Sequence, residues 1–136
     1  MSTSRRAVAA VVVVVVIAVV GWLVWPSART PVVLKTGTPH HLVTVTIDSV
    51  RLGETAVDVT VTDRDGAPID HAAVQIQAIQ PLMGHAGAPV PAAANGSGRF
   101  HAPAISLMMT GPWELRLSID AHNGIDRVTL PLWVGG

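Results

Sequence analysis

The side chains best suited to chemistry in this sequence are methionines and histidines that lie close together along the chain. Apart from the initiator, every methionine falls between Met83 and Met109, and the same stretch contains His85 and His101. Thioether and imidazole groups together suit a soft or borderline ion, and methionine in particular selects Cu(I) over Zn(II), Mg(II) or Ca(II). The stretch therefore predicts a copper-binding site.

The spacing of these residues decides which of them can share one ion. Met83 and His85 are two residues apart, so an extended backbone would point both side chains the same way. Met108 and Met109 are adjacent, and only one of them could join the first two on an extended backbone. Methionine is also a flexible core filler, and core packing is the role that we expect for Met108.

His101 can be interpreted as a ligand or as a surface residue. It follows Phe100, an expected core residue, so strand alternation turns His101 to the opposite face, where a single histidine is usually solvated. Asp70 and His71 do not form a catalytic dyad, because neighbouring strand residues face opposite sides. The remaining histidines border the expected tether or lie in a turn: His40, His41 and His122.

No catalytic motif accompanies these residues. The sequence contains no Gly-rich phosphate loop, no His-Glu-x-x-His helix and no Gly-x-Ser-x-Gly elbow. It has no cysteine, which excludes disulfides, thiolate metal sites, a thiol nucleophile and a lipidated cysteine. We therefore expect a binding protein and not an enzyme.

Short strands must position the methionines and histidines. Apolar and polar residues alternate in residues 43–47, 57–61, 74–78, 113–119 and 128–132, and residues 98–102 form a shorter sixth candidate. Turns rich in Asp, Asn and Gly separate these segments. The pattern predicts an all-β fold, an immunoglobulin-like β-sandwich of about six or seven strands, with Phe100 and Trp113 in its core. Residues 81–97, rich in Pro, Gly and Ala, are expected to form a long functional or disordered loop.

The amino-terminal segment has the features of a membrane anchor. Nineteen apolar residues, Ala7 to Trp25, would span about 28 Å as a helix, which is close to the thickness of the hydrocarbon core. Trp25 suits the headgroup region and Pro26 is expected to stop the helix. The absence of a good small-x-small cleavage site favours an uncleaved signal anchor over a signal peptide.

The charges on either side of the apolar segment predict the membrane topology, and the composition predicts where the segments of the chain begin and end. Together with the terminal amine, Arg5 and Arg6 slightly outweigh Arg29 and Lys35. This predicts a single-pass protein of the cell membrane with a cytoplasmic amino terminus and an extracytoplasmic carboxyl-terminal domain. The expected division is a cytoplasmic segment (1–6), a transmembrane helix (7–25), a tether (26–40) and a β-sandwich domain (41–136).

The charge of the expected domain restricts its partners. All nine acidic residues follow His40, against five arginines, so this part carries a net charge of about −4. An acidic domain without basic clusters gains no counterion release on a phosphate backbone, so nucleic acid is excluded as a partner. The lipid bilayer is the partner that the apolar segment predicts.

Three segments together resemble the YtkA-like family of extracytoplasmic domains, which is similar in style to FixH and CopC-type proteins. They are Met83-Gly84-His85, residues 98–102 and residues 109–115, the last reading Met-Thr-Gly-Pro-Trp-Glu-Leu. The resemblance covers residues 41–134 and implies a small copper-handling β-sandwich. It implies Met83, His85 and Met109 as metal ligands and His101 as a fourth, although Pro81 and Leu82 stand where the family often has a further methionine.

Two functions follow. The first is a membrane-anchored protein that binds copper, as Cu(I) or less readily Cu(II), for transport, resistance or oxidase metallation, with a copper transporter, an oxidase or another membrane protein as partner. The alternative is a metal-free immunoglobulin-like module that docks onto a membrane protein complex, with the methionine-bearing loop as a flexible apolar contact surface.

Overall fold

The apolar amino-terminal run forms a helix. The computed structural model describes residues 2–24 and 30–136, with the side chains of 7–23 and 30–136, and its helix α1 comprises Ser2–Val24. Large apolar side chains of α1 are exposed, including Ile17 at 66% and Trp22 at 82%. Within these described ranges, no helix combines the length and hydropathy needed to cross a membrane. The predicted roles of Trp25 and Pro26 concern positions outside the described residues.

The rest of the described chain is mostly strand, as the alternation predicts. Nine strands occur among the described residues: β1 (Val32–Gly37), β2 (His41–Ile47), β3 (Gly53–Asp63), β4 (Ala72–Gln80), β5 (His85–Ala86), β6 (Val90–Ala94), β7 (Arg99–Leu107), β8 (Gly111–Ala121) and β9 (Gly124–Val134). The all-β prediction is confirmed. The predicted number of six or seven strands is too low.

The extra strands lie where the local sequence carries little alternation. β1 occupies part of the expected tether, because Val32–Gly37 pairs along its whole length with β2. β5 and β6 interrupt the expected long loop. The Pro and Ala content of β6 gives it little intrinsic strand preference, and pairing with β4 and β7 on its two sides supplies the order.

The strands form one nearly closed antiparallel sheet. Its order is β1-β2-β3-β7-β6-β4-β8-β9, with β5 also paired to β4. β6 joins the two halves because it pairs with both β4 and β7. The β2–β3 loop also contacts the end of β9, since the Gly135 amide donates to the Val50 carbonyl at 3.2 Å.

One apolar core fills the space between the two halves. Both halves contribute alternate residues to it: Val43, Val45 and Ile47 of β2, Val57, Val59 and Val61 of β3, Val74 and Ile76 of β4, and Leu115, Leu117 and Ile119 of β8. Phe100 and Trp113 are each 2% exposed, which confirms both as core residues. The Trp113 indole nitrogen donates to the Met109 carbonyl at 2.8 Å, which ties the β7–β8 loop to the core.

The antiparallel connections give the molecule two chemically different ends. The Met end consists of loops 48–52, 81–84 and 108–110 with residues 135–136, and it carries Met83, Met108 and Met109. The His end consists of turns 38–41, 64–71, 95–98 and 122–123. It carries four of the six histidines: His40, His41, His71 and His122.

Two glycines in one turn at the His end provide a matched test of packing. Gly96 and Gly98 both have positive φ, at +105° and +65°, but a Cβ on Gly98 would lie 2.8 Å from Pro68 Cβ and from the Val61 carbonyl oxygen. We expect Gly98→Ala to destabilise the fold by about 1–3 kcal/mol more than Gly96→Ala, because only the first adds overpacking to backbone strain. Urea unfolding of both variants measures the difference. Equal losses would contradict the close contact at Gly98.

Candidate functional site

Met83 lies in a short, well-defined turn at the Met end. It ends a 3₁₀ turn, Pro81–Met83, in which the Gln80 side chain accepts a hydrogen bond from the Met83 amide at 2.7 Å. Gly84 follows in the left-handed region at φ +61°, which a glycine adopts without strain. The backbone between Met83 and His85 is therefore not extended, and the predicted alternation of these two side chains does not apply. The Met83 side chain is 69% exposed.

His85 begins β5 directly opposite Gln80 of β4. Directly opposed residues of an antiparallel pair share a face, and Gln80 is 4% exposed on the core side, so exposed His85 stands at the rim of the core. On the other side of β4, Ile79 pairs with Glu114 of β8, so Gln80 and Trp113 are the next two positions to face each other. β5 and β8 lie on either side of β4, so their backbones are about 10 Å apart. Long side chains from both strands can reach into this space.

Met109 and Met108 have the opposite environments to those that the sequence predicts. Met109 is half-buried and packs against the core, whereas Met108 is 64% exposed. The reason is the alternation of β7, in which buried Leu107 turns the next residue outward. The prediction that Met108 fills the core is therefore wrong. Met109 lies close to Trp113, because the Met109 carbonyl accepts a hydrogen bond from the Trp113 indole.

His101 is not brought together with these residues. It lies on the outer face of β7, opposite Asp58 of β3, and its Nδ1 is 2.7 Å from the Asp58 carboxylate. Leu107, at the Met end, is six residue steps along β7 from His101, a distance of about 20 Å. The structure thus places Met83, His85 and Met109 at one end of the fold and His101 well away from them. In the described part of the chain, no three or more His, Asp or Glu side chains are grouped to hold a metal ion.

The sequence analysis missed a buried polar cluster at the His end. We call it the Asp126 cluster; its members are Thr38, His40, His41, Asn123 and Asp126. His41 is completely buried, and its Nδ1 lies 2.7 Å from Asp126 Oδ2 while its Nε2 lies 2.7 Å from Asn123 Oδ1. His40 Nδ1 lies 2.8 Å from the other carboxylate oxygen. The Thr38 hydroxyl also donates to Asp126.

These contacts lower the pKa of Asp126. Burial alone would raise the pKa of this carboxyl, but the hydrogen bonds from Thr38, His40 and His41 outweigh burial and hold the pKa well below its usual range. A signal was present in the sequence, because Asp126 shares the inward alternation of Val128 and Leu130 along β9. A charged residue at such a position requires buried partners.

The Asp126 cluster has an exposed counterpart that serves as a control. His101 and Asp58 are also 2.7 Å apart, but the Asp58 side chain is 55% exposed against 3% for Asp126. We expect Asp126→Asn to cost about 3–5 kcal/mol, because it leaves the buried His41 without its carboxylate partner. Asp58→Asn should cost about 0–1 kcal/mol. Chemical unfolding monitored by tryptophan fluorescence measures both, and comparable costs would contradict a stabilising role for burial of the pair.

The lowered pKa of Asp126 also predicts how stability depends on pH. In the unfolded chain this carboxyl binds a proton near pH 4, whereas in the folded chain it stays ionised to lower pH. The unfolded state therefore binds more protons in this window, and the free energy of unfolding falls as the pH drops below about 4. The free energy of unfolding should fall less steeply with decreasing pH in the Asp126→Asn variant. Urea unfolding at a series of acidic pH values measures this. Parallel curves for the two proteins would contradict the assignment.

Comparison with known proteins agrees with the β-rich domain described above. Residues 42–129 match the FixH family, a range that runs from β2 into β9 and includes Met83, His85, His101 and Met109. The match supports the FixH part of the resemblance, and a YtkA-like assignment is not confirmed. No curated protein matches the chain significantly, and no solved structure does so. Because the match covers more than half of the 136 residues, the chain belongs to the FixH family.

Proposed function

We propose that this FixH-family protein binds Cu(I) outside the cytoplasm and passes it to a membrane partner. The proposed ligands are Met83, His85 and Met109. The observation that carries the proposal is that all three residues lie at the same end of the fold, near the level of Gln80 and Trp113. One imidazole and two thioethers form a donor set that suits Cu(I) better than Zn(II) or Ca(II).

The environments of the three donors suit an exchangeable site. Met83 and His85 are exposed, so an incoming partner can reach them, while Met109 is held against the core by its packing and by the Trp113 hydrogen bond. Neutral ligands of this kind can be replaced one at a time by those of a partner. His101 is left out of the proposed site because it is engaged with Asp58 about 20 Å away.

The same proposal includes the location of the protein and the finer description of its fold. We interpret α1 as a single-pass anchor with residues 1–6 in the cytoplasm and the β domain outside, on the basis of the apolar run and its flanking arginines. We interpret the two halves of the sheet, which share one core, as an immunoglobulin-like β-sandwich. The membrane partner that exchanges copper with this protein would be a copper transporter, an oxidase under assembly or another membrane protein.

A second candidate function is a metal-free module that docks onto a membrane protein complex. The observation that favours it is the exposure of apolar side chains on the loops of the Met end, with Leu82 at 75%, Met83 at 69% and Met108 at 64%. Flexible methionines on an exposed surface can adapt to a partner without binding metal.

Copper titration separates the two candidates. The full chain in detergent is titrated anaerobically with Cu(I) against a chromogenic chelator. We expect the unchanged protein to bind one equivalent, and the Met83→Ala/His85→Ala double variant to bind about tenfold or more weakly, since even supporting residues of metal sites cost that much. Met108→Ala is the matched control, because Met108 is an equally exposed methionine of the same end.

The controls define the outcomes. Met108→Ala and His101→Ala should retain the affinity of the unchanged protein. Tight binding in the double variant would contradict the ligand assignment. Failure of the unchanged protein to compete with the chelator would contradict copper binding and favour the metal-free module.

A further inference from the structure

Exposed apolar side chains are distributed unevenly over the β domain. Among the described residues after Thr30, eight large apolar side chains are at least 40% exposed. Two belong to strands near the His end, Leu42 and Ile125. The other six are at or next to the Met end: Val33, Leu52, Leu82, Met83, Met108 and Trp133.

The apolar side chains of the Met end come from separate parts of the chain. Leu52 lies in the β2–β3 loop, Leu82 in the 3₁₀ turn, Met108 in the β7–β8 loop, and Trp133 next to the end of β9. Each is at least 50% exposed, with Trp133 at 70%. Apolar surface of this kind is stabilised when a covering phase removes it from water. Convergence of four segments on one end therefore points to a surface that is covered in use.

The path of the chain indicates what covers this surface. β1 begins at Val32 opposite Ile47, the last residue of β2, so the chain enters the β domain at the Met end. α1 ends at Val24, and eight Cα-to-Cα steps separate it from Val32, a span of at most about 28 Å. The eleven-residue β8 alone is about 36 Å long. The Met end is therefore the end of the domain to which α1 is connected.

We propose that the Met end contacts the lipid bilayer in which α1 is anchored, with Leu52, Leu82, Met108 and Trp133 in the headgroup region. The inference rests on the proposed membrane attachment of α1. An indole ring favours the membrane interface, and apolar side chains add burial there. A short connection to an anchored helix also gives these loops a high effective concentration at the bilayer. Copper exchange at Met83 and His85 would then take place at the membrane surface.

Single-cysteine labelling tests the orientation, because the native chain contains no cysteine. Full-length Leu82→Cys and Met108→Cys are labelled with an environment-sensitive fluorophore in phosphatidylcholine–phosphatidylglycerol nanodiscs, with and without lipids that carry a nitroxide near the headgroup. The control is Asp65→Cys, an exposed turn position at the His end. Both substituted apolar residues are exposed, so thermal unfolding should match that of the native chain.

We expect the nitroxide lipids to remove most of the fluorescence at positions 82 and 108 and to leave position 65 unchanged. Equal fluorescence with and without nitroxide at all three positions would overturn the inference. Failure of the chain to co-purify with nanodiscs would overturn it as well, by removing the attachment of α1. Neither outcome changes the Cu(I) titration, so the failure of this inference and the failure of copper binding are separate results.

Discussion

A carboxylate can be buried only when other groups replace the water that it loses, and this requirement at Asp126 shapes one whole end of the molecule. Desolvation of an ion costs several kcal/mol, and here Thr38, His40 and His41 supply the compensating hydrogen bonds. These donors lie in and beside the β1–β2 turn, whereas Asp126 lies on β9. The hydrogen bonds to this one side chain therefore connect the β1–β2 turn, at one edge of the sheet, to β9 at the other edge.

Closure at the His end has consequences for the opposite end. The Asp126 cluster links the β1–β2 turn to β9 at one end, and the Gly135 amide links the end of β9 to the β2–β3 loop at the other. The two halves of the sheet enclose one apolar core. Several side chains on the loops of the Met end take no part in this core. Leu82, Met83 and Met108 can remain exposed because stability is supplied elsewhere. This separation is compatible with the proposed copper exchange and membrane contact at the Met end.

The range that matches the FixH family, residues 42–129, contains the three loops of the Met end but only two members of the Asp126 cluster, Asn123 and Asp126. Thr38, His40 and His41 lie just before the matched range. The histidines serve different purposes in this arrangement. His41 is a structural residue with both ring nitrogens bonded, His101 pairs with an exposed aspartate, and His85 is left accessible at the Met end. Residue type alone does not distinguish these roles.

The sequence by itself determined the elements whose signal is local. Period-two alternation predicts β2, β3, β4, β8 and β9, and places Phe100 and Trp113 in the core, because each side chain's face depends only on its immediate neighbours. The tertiary structure decided the rest. β1, β5 and β6 depend on pairing partners, and Met109 packs while Met108 does not because β7 ends on an inward residue. The bond between His41 and Asp126 joins residues 85 positions apart, and the separation of His101 from the Met end follows from the register of β7. Such contacts are fixed by how distant strands align, which no local pattern encodes.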